Sequence, residues 1–185
     1  MKVSMLLSIC LVSLTYAQEV PPFPDPPADV SSTARLAPGN EPGERLEIHG
    51  TVFEQDGTTP IPGFLLYLYQ TDASGVYNKK SGSWRTPRLH GWVRTDSQGR
   101  YTIFTIKPGS YPGGRTPAHI HAIVQLPGSD PSWLDSFLFE GDRFLPATDS
   151  NRTSAEGTFS NVMKIVRGED GTLHGIRNIR IRHTP

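Results

Sequence analysis

The 185-residue sequence contains one cysteine, Cys10, and that residue lies in a segment that reads as removed on export. A lone cysteine excludes an internal disulfide and any cluster of thiolate metal ligands. An excess of charge is missing too. Eighteen Lys and Arg against 18 Asp and Glu give a formal net charge of +0. That balance supplies no electrostatic ground for binding nucleic acid or an anionic membrane surface. Long apolar runs are absent as well. Residues 5–14 form a short, mostly apolar stretch, but a membrane-crossing helix needs about 20 such residues. No segment carries a sustained helical period, and no tandem repeat is visible.

What is present begins with a signal-peptide pattern. Lys2 gives the positive start, residues 5–14 the apolar stretch, and Thr15-Tyr16-Ala17 a small-residue cleavage site. The expectation is an exported chain, periplasmic or extracellular, with residues 1–17 removed. Asn151-Arg152-Thr153 matches a glycosylation acceptor, which matters only in a eukaryotic secretory host. Residues 18–44 are rich in proline and small polar residues and read as an arm that packs through Phe23, Val30 and Leu36. Residues 45–185 are of a size for one domain. They show short strand patterns at 46–52, 64–70, 91–94, 101–106, 118–126, 159–166 and 173–182, separated by Gly, Pro, Asp and Ser clusters. That spacing predicts an all-β fold, a β-sandwich of mostly antiparallel strands with long loops. The segment PSWLDSFLFEGDRF is read as the one place for a helical turn.

The stretch AHIHAIVQL carries the chemistry. On a strand, residues two apart share a face. Ile120, Ala122, Val124 and Leu126 then form a core face, and His119 and His121 leave the other side together. Two imidazoles on one face suit zinc, copper or iron equally. A two-histidine, one-carboxylate site would need Asp135 or Asp142. Two tyrosines precede the strand, Tyr77 at the end of TDASGVY and Tyr111 in PGSYPGG. A phenolate is a hard anionic donor, and its mixture with imidazole favours ferric iron over zinc or cuprous copper. A free phenol ionises near pH 10, so a strongly charged cation must hold it ionised at neutral pH. His49, His90, His174 and His183 fall among polar turns and strands and read as surface residues. Trp84, Trp92 and Trp133 read as packing, with Trp133 a candidate for lining a substrate mouth.

TDASGVY followed by GWVRTDSQGRYTIFTIKPGSYPGGRTPAHIHAIV resembles the intradiol ring-cleavage dioxygenases, the catechol and protocatechuate dioxygenase superfamily. The likeness runs from about Leu46 through Phe139, and TIKPGSYPGGRTPAHIH is its specific part. The absence of a long N-terminal helical segment resembles the short exported branch. The resemblance implies one non-haem Fe(3+) per chain, held by Tyr77 and His119 as equatorial and Tyr111 and His121 as axial ligands. It implies a catechol-type substrate and O2, ring cleavage between the two hydroxylated carbons, and a muconate-type diacid product. Tyr111 would be the phenolate that dissociates, and Arg115 would stabilise charge on the ring. Arg115 stands four residues before His119, where many members have three. Ser136 stands where a glutamine is frequent, and Tyr69 where a tryptophan is frequent, a change expected to affect packing alone. Two other readings stay open: a non-catalytic transthyretin-like or carboxypeptidase-regulatory-like binding module, and a copper or zinc protein using the histidine pair. The sequence also leaves a homo-oligomer open.

Overall fold

The computed structural model describes residues 23–77, 87–125, 130–146, 148 and 159–181. The expected signal segment, the Asn151 acceptor, Trp84 and His183 lie outside them. Eleven strands run in the order β1 (Thr33–Arg35), β2 (Arg45–Phe53), β3 (Leu65–Gln70), β4 (Leu89–Arg94), β5 (Arg100–Ile106), β6 (His119–Gln125), β7 (Ser132–Phe139), β8 (Val162–Met163), β9 (Ile165–Arg167), β10 (Leu173–Ile176) and β11 (Ile179–Arg180).

They form two sheets. One has the order β1-β5-β2-β10-β9, with β11 also paired to β2, and the other has the order β4-β3-β6-β7-β8. The chain is an all-β sandwich. Its hairpin-type pairs β2·β5, β3·β4, β3·β6, β6·β7 and β9·β10 are antiparallel, while β1·β5, β2·β10, β2·β11 and β7·β8 are parallel. Alternation builds the core between the layers. Leu46, Ile48 and Val52 of β2 and Ile103 of β5 face Leu66 and Leu68 of β3, Ile120, Ala122 and Val124 of β6, and Phe137 and Phe139 of β7. Burying one such side chain is worth roughly 1.5–3 kcal/mol, so these residues hold the two sheets together without a crosslink.

Two expectations change. PSWLDSFLFEGDRF is no helical turn. Phe137 and Phe139 are fully buried while Ser136 and Leu138 are partly exposed, a strand period that runs into β7. The proline-rich stretch 18–44 is also more than an arm. Thr33–Arg35 form an edge strand parallel to β5, and Leu36 enters the core. Just before it, Ser31 O accepts from Arg94 N–H and Ser32 O from Thr102 N–H, each at 2.8 Å, so this stretch ties β4 of one sheet to β5 of the other. Phe23 lies edge-on to Trp92 at 4.5 Å between ring centroids, and Val30 is half-buried.

Strand β3 of the second sheet is buried on both sides. β3 reads LLYLYQ with Leu66 and Leu68 on the core side and Tyr67 and Tyr69 on the other, all nearly inaccessible. A separate cluster of Tyr67, Tyr69, Tyr77 and Ile123, with Phe23, Trp92 and Tyr111 packed on it, covers this outer face. The candidate site sits there, outside the main core.

Candidate metal centre

β6 places His119, His121 and Ile123 on the outer face, opposite the core residues Ile120, Ala122 and Val124. His119 Nδ1 lies 2.7 Å from Pro117 O. A carbonyl only accepts, so Nδ1 carries the proton and His119 Nε2 presents a bare lone pair. That lone pair lies 3.0 Å from His121 Nε2. Burial pulls the proton affinity of both imidazoles down. For His121, burial and then its neighbour His119 bring the pKa to about 3; for His119, the Pro117 bond and Asp142 push back against burial. Both rings are neutral at pH 7, the form that ligates.

The tyrosines arrive on two loops that grip each other. In TDASGVY, Asp72 Oδ1 accepts from Ser74 N–H (2.8 Å), Ser74 Oγ–H (2.6 Å) and Val76 N–H (3.2 Å), which folds the chain into a tight turn. Gly75 has φ +83°, and a Cβ there would stand 2.0 Å from Ser110 O. Gly109 in the partner loop would place a Cβ 2.5 Å from Ala73 O. Gly109 N–H donates to Asp72 O (2.9 Å), and Thr71 Oγ–H donates to Gly109 O (2.8 Å). Two glycines thus allow backbone-to-backbone contact between the segments ending in Tyr77 and Tyr111.

All four polar tips meet. Tyr77 Oη touches Tyr111 Oη and lies 2.8 Å from His121 Nε2; Tyr111 Oη lies 3.0 Å from His119 Nε2 and 3.3 Å from His121 Nε2. Proton counting shows what this set fits. The four atoms make five contacts and have at most three protons to share: the two phenolic ones and, in one tautomer, one on His121 Nε2. At least two contacts are then left lone pair against lone pair. One cation at their common centre removes that repulsion. Burial raises Tyr77 and Tyr111 above the ordinary phenol value, so only a strongly charged ion would draw off their protons. The donors fit a trivalent metal.

The other expected residues fall elsewhere. Among the described residues, no group of three or more His, Cys, Asp and Glu could hold a metal, so Asp135 and Asp142 complete no carboxylate site. Asp142 instead braces the strand: Oδ2 accepts from Ala118 N–H (3.1 Å) and Oδ1 from Phe144 N–H (2.8 Å). Asp135 and Ser136 occupy a β-bulge. Ile120 pairs with Phe137 and Ala122 with Leu134, so two residues lie opposite His121. Arg115 is exposed on the loop before β6 and is not among the described residues that line the cavity.

A cavity of about 530 Å³ opens over the cluster, lined by Tyr69, Gly75, Val76, Tyr77, Tyr111, Pro112, His121 and Trp133. Its size lies within the range of ligand pockets, about 300–1,000 Å³. Trp133, read from the sequence as packing and as a candidate for a substrate mouth, is 39 % exposed and lines this cavity. Tyr69, Val76 and Pro112 were not anticipated as lining. The strand period of LYLYQ carried the signal for Tyr69, since it puts Tyr69 on the face opposite Leu68.

A two-sheet sandwich with two histidines on a strand and two tyrosines on adjoining loops now meets the comparisons with known proteins. The model of the family described as Dioxygenase matches residues 19–170. Catechol 1,2-dioxygenase 2 of Acinetobacter lwoffii is 31% identical over 142 residues, 62% of this chain and 51% of the relative. The protocatechuate 3,4-dioxygenase beta chain of Burkholderia cepacia is 34% identical over 106 residues, 51% of this chain and 45% of the relative. The chain therefore spans about half the length of these curated relatives. Among solved structures, the dioxygenase domain of a dioxygenase carbohydrate-binding protein fusion from Streptomyces sp. SirexAA-E superposes with TM-score 0.63 at 24% identity, covering 90% of this chain and 96% of that one. An intradiol ring-cleavage dioxygenase from Tetranychus urticae gives TM-score 0.61 at 21% identity, covering 88% and 92%. The chain belongs to the intradiol dioxygenase superfamily.

Proposed function

We propose that this chain is an iron-dependent intradiol dioxygenase in which Tyr77, Tyr111, His119 and His121 hold one ferric ion. The observation that carries this is the convergence of four donor atoms with too few protons to satisfy them. Two phenolates supply two of the three negative charges that a buried ferric ion requires for neutrality. When bound, the ion would ligate an aromatic diol and make its ring electron-rich enough to react with O2. The substrate is a catechol-type aromatic and the product a muconate-type diacid.

The chain's own residues do the rest. Tyr77 is 8 % exposed and bonded to His121, so it stays in place. Tyr111 is half-buried on a loop without strand pairing. As the more accessible of the two phenols, Tyr111 Oη is the base that takes a hydroxyl proton from the entering diol. The apolar walls of Val76, Pro112 and Trp133 hold the ring. Arg115 belongs to this proposal through the family resemblance alone, as a cation near the ring. Export after residue 17 is part of the same proposal, supported by the pattern of residues 1–17 and tested by sequencing the N-terminus of the mature protein.

The test is one purified sample. Ferric-phenolate charge transfer should colour it red to purple at one iron per chain, and O2 uptake with catechol, hydroxyquinol or protocatechuate should yield the ring-opened diacid. A colourless chain that refuses ferric iron overturns the proposal, and tight zinc or copper binding in its place favours the other metal reading. Iron bound without O2 uptake on any of these diols removes the enzymatic part.

A further inference from the structure

The two histidines have their rings fixed by different devices. His119 is oriented through its Nδ1–H bond to Pro117 O. Among the described residues, no carbonyl does the same for His121. Its ring lies instead on that of Tyr69, centroids 4.5 Å apart and planes within 18° of parallel. The contact follows from sheet register, because Tyr69 of β3 is the direct cross-strand partner of His121.

We propose that Tyr69 is the positioning residue of His121: its ring is the plate that fixes the imidazole plane and keeps Nε2 aimed between Tyr77 and Tyr111. The inference rests on the metal reading above. Histidine's χ2 is a broad torsion, and among the described residues no hydrogen bond on Nδ1 restrains it. A stacked partner fixes the plane, and the Tyr77 contact at 2.8 Å then selects which edge points inward. The plate is itself immobile. Tyr69 is 2% exposed, and its ring is held at 5.9 Å from Tyr67, 5.9 Å from Tyr77 and 6.5 Å from Trp133. A flat ring is what the position needs, and tyrosine supplies one. An aliphatic side chain would fill space without defining a plane.

Tyr67 provides the control. It lies on the same face of the same strand at 3% exposure, yet its ring partners are Trp92, Phe23, His90 and Tyr69, with no ring contact to His121. Tyr67→Leu removes a comparable buried aromatic that neighbours the plate, while the Tyr69–His121 stack and the Tyr77 and Trp133 contacts of Tyr69 are kept.

The experiment titrates metal-free full-length protein with ferric ion against a competing chelator. It reads the dissociation constant, the charge-transfer band, the ferric electron paramagnetic resonance line shape and the urea midpoint. Tyr69→Phe should match the wild type in affinity and line shape. Tyr69→Leu should bind iron about 10-fold more weakly or worse, the usual cost of removing a residue that orients a ligand, with a shifted band. Tyr69→Met, which fills the space with a flexible chain, should behave like Leu and serves if Leu does not fold. Tyr67→Leu should lower the urea midpoint and leave the iron parameters alone. Unchanged iron binding in Tyr69→Leu or Tyr69→Met overturns the inference, as does an equal loss in Tyr67→Leu or in Tyr69→Phe. A wild-type chain that takes up no ferric iron removes the metal reading and this inference together; wild-type uptake with an unaffected Tyr69→Leu removes this inference alone.

Discussion

Gly75→Ala tests whether the site is assembled by the contact between its two loops. Gly75 sits at φ +83°, and an added Cβ would meet Ser110 O at 2.0 Å. Left-handed backbone costs a non-glycine residue about 1–2 kcal/mol, and forcing atoms into a packed position costs about 1–3 kcal/mol more. Relief to the 3.0 Å that real Cβ contacts respect requires the loops to part by about 1 Å, the difference from the present 2.0 Å. Ser110 adjoins Tyr111 and Gly75 lies two residues before Tyr77, so the parting acts directly on the Tyr77–Tyr111 contact. Gly113 makes the comparison clean. It has φ +74° in the same loop as Tyr111, and nothing lies within 4 Å of its added Cβ. Gly113→Ala should lose only the backbone share, about 1–2 kcal/mol in urea unfolding, and bind ferric iron as the wild type does. Gly75→Ala should lose the overlap share as well. If that share falls on the assembled site, iron affinity drops about 5- to 150-fold, since 1.4 kcal/mol is a factor of ten. Chelator competition on the metal-free proteins reads both. Equal iron affinity in the two variants would refute the idea that backbone contact between the loops sets the site.

Tyr77→Phe and Tyr111→Phe each remove a proposed phenolate donor, and each should lose more iron affinity than the roughly 10- to 100-fold typical of supporting residues; titration with full retention of affinity would exclude that tyrosine as a ligand. Asp142→Ala strips acceptors from Ala118 N–H and Phe144 N–H and should cost about 1–3 kcal/mol of stability while keeping one iron per chain, whereas loss of iron with an unchanged fold would return Asp142 to the ligand set. Arg115 is exposed, and a solvated charge acts weakly, so Arg115→Gln should lower kcat/KM less than about 10-fold, or about 1.4 kcal/mol; a 100-fold loss would place the guanidinium against the ring during turnover. Tyr101 is fully buried, which raises its phenol, and it donates to Arg177 O at 2.5 Å. Its folded pKa lies above the unfolded value near 10, so its contribution is complete below pH 10 and is lost as pH climbs toward the folded value. Tyr101→Phe should cost about 1 kcal/mol at pH 7 and flatten the alkaline fall in stability by up to about 1.4 kcal/mol per pH unit; an unchanged alkaline slope in urea titrations would contradict this.

The parts of the fold legible in the sequence are those that alternation writes one residue at a time. β2 and β6 were visible because Leu46, Ile48 and Val52, and then Ile120, Ala122 and Val124, recur every second position, and the same period put His119 and His121 on one face. β7 was obscured by its own irregularity. The bulge at Asp135 and Ser136 breaks the period between Leu134 and Phe137, so the segment looks aperiodic to a test that assumes strict alternation. β1 was hidden by the prolines around it, since three residues cannot establish a period. The donor atoms of the site were legible as residue types. Their supports were not, because Tyr69 acts on His121 through the register of two strands far apart in the chain, and register is a property of pairing.

The two histidines and the two tyrosines are organised by different means, and the difference locates what assembles the site. His119 and His121 stand on a strand whose other face is locked in the main core, so their backbone is set by burial that involves no metal. Tyr77 and Tyr111 hang on loops, and their relative position is set by Gly75, Gly109 and the hydrogen bonds of Asp72 and Thr71. The aromatic cluster beneath them is separate from the core between the sheets. The core therefore places the histidines, and the contacts between the loops place the tyrosines. A chain with one cysteine does not need a metal crosslink when two apolar sheet faces already meet, and the backbone around the four donors brings them together. In that arrangement the protein supplies the preorganisation that the proposed ferric site requires.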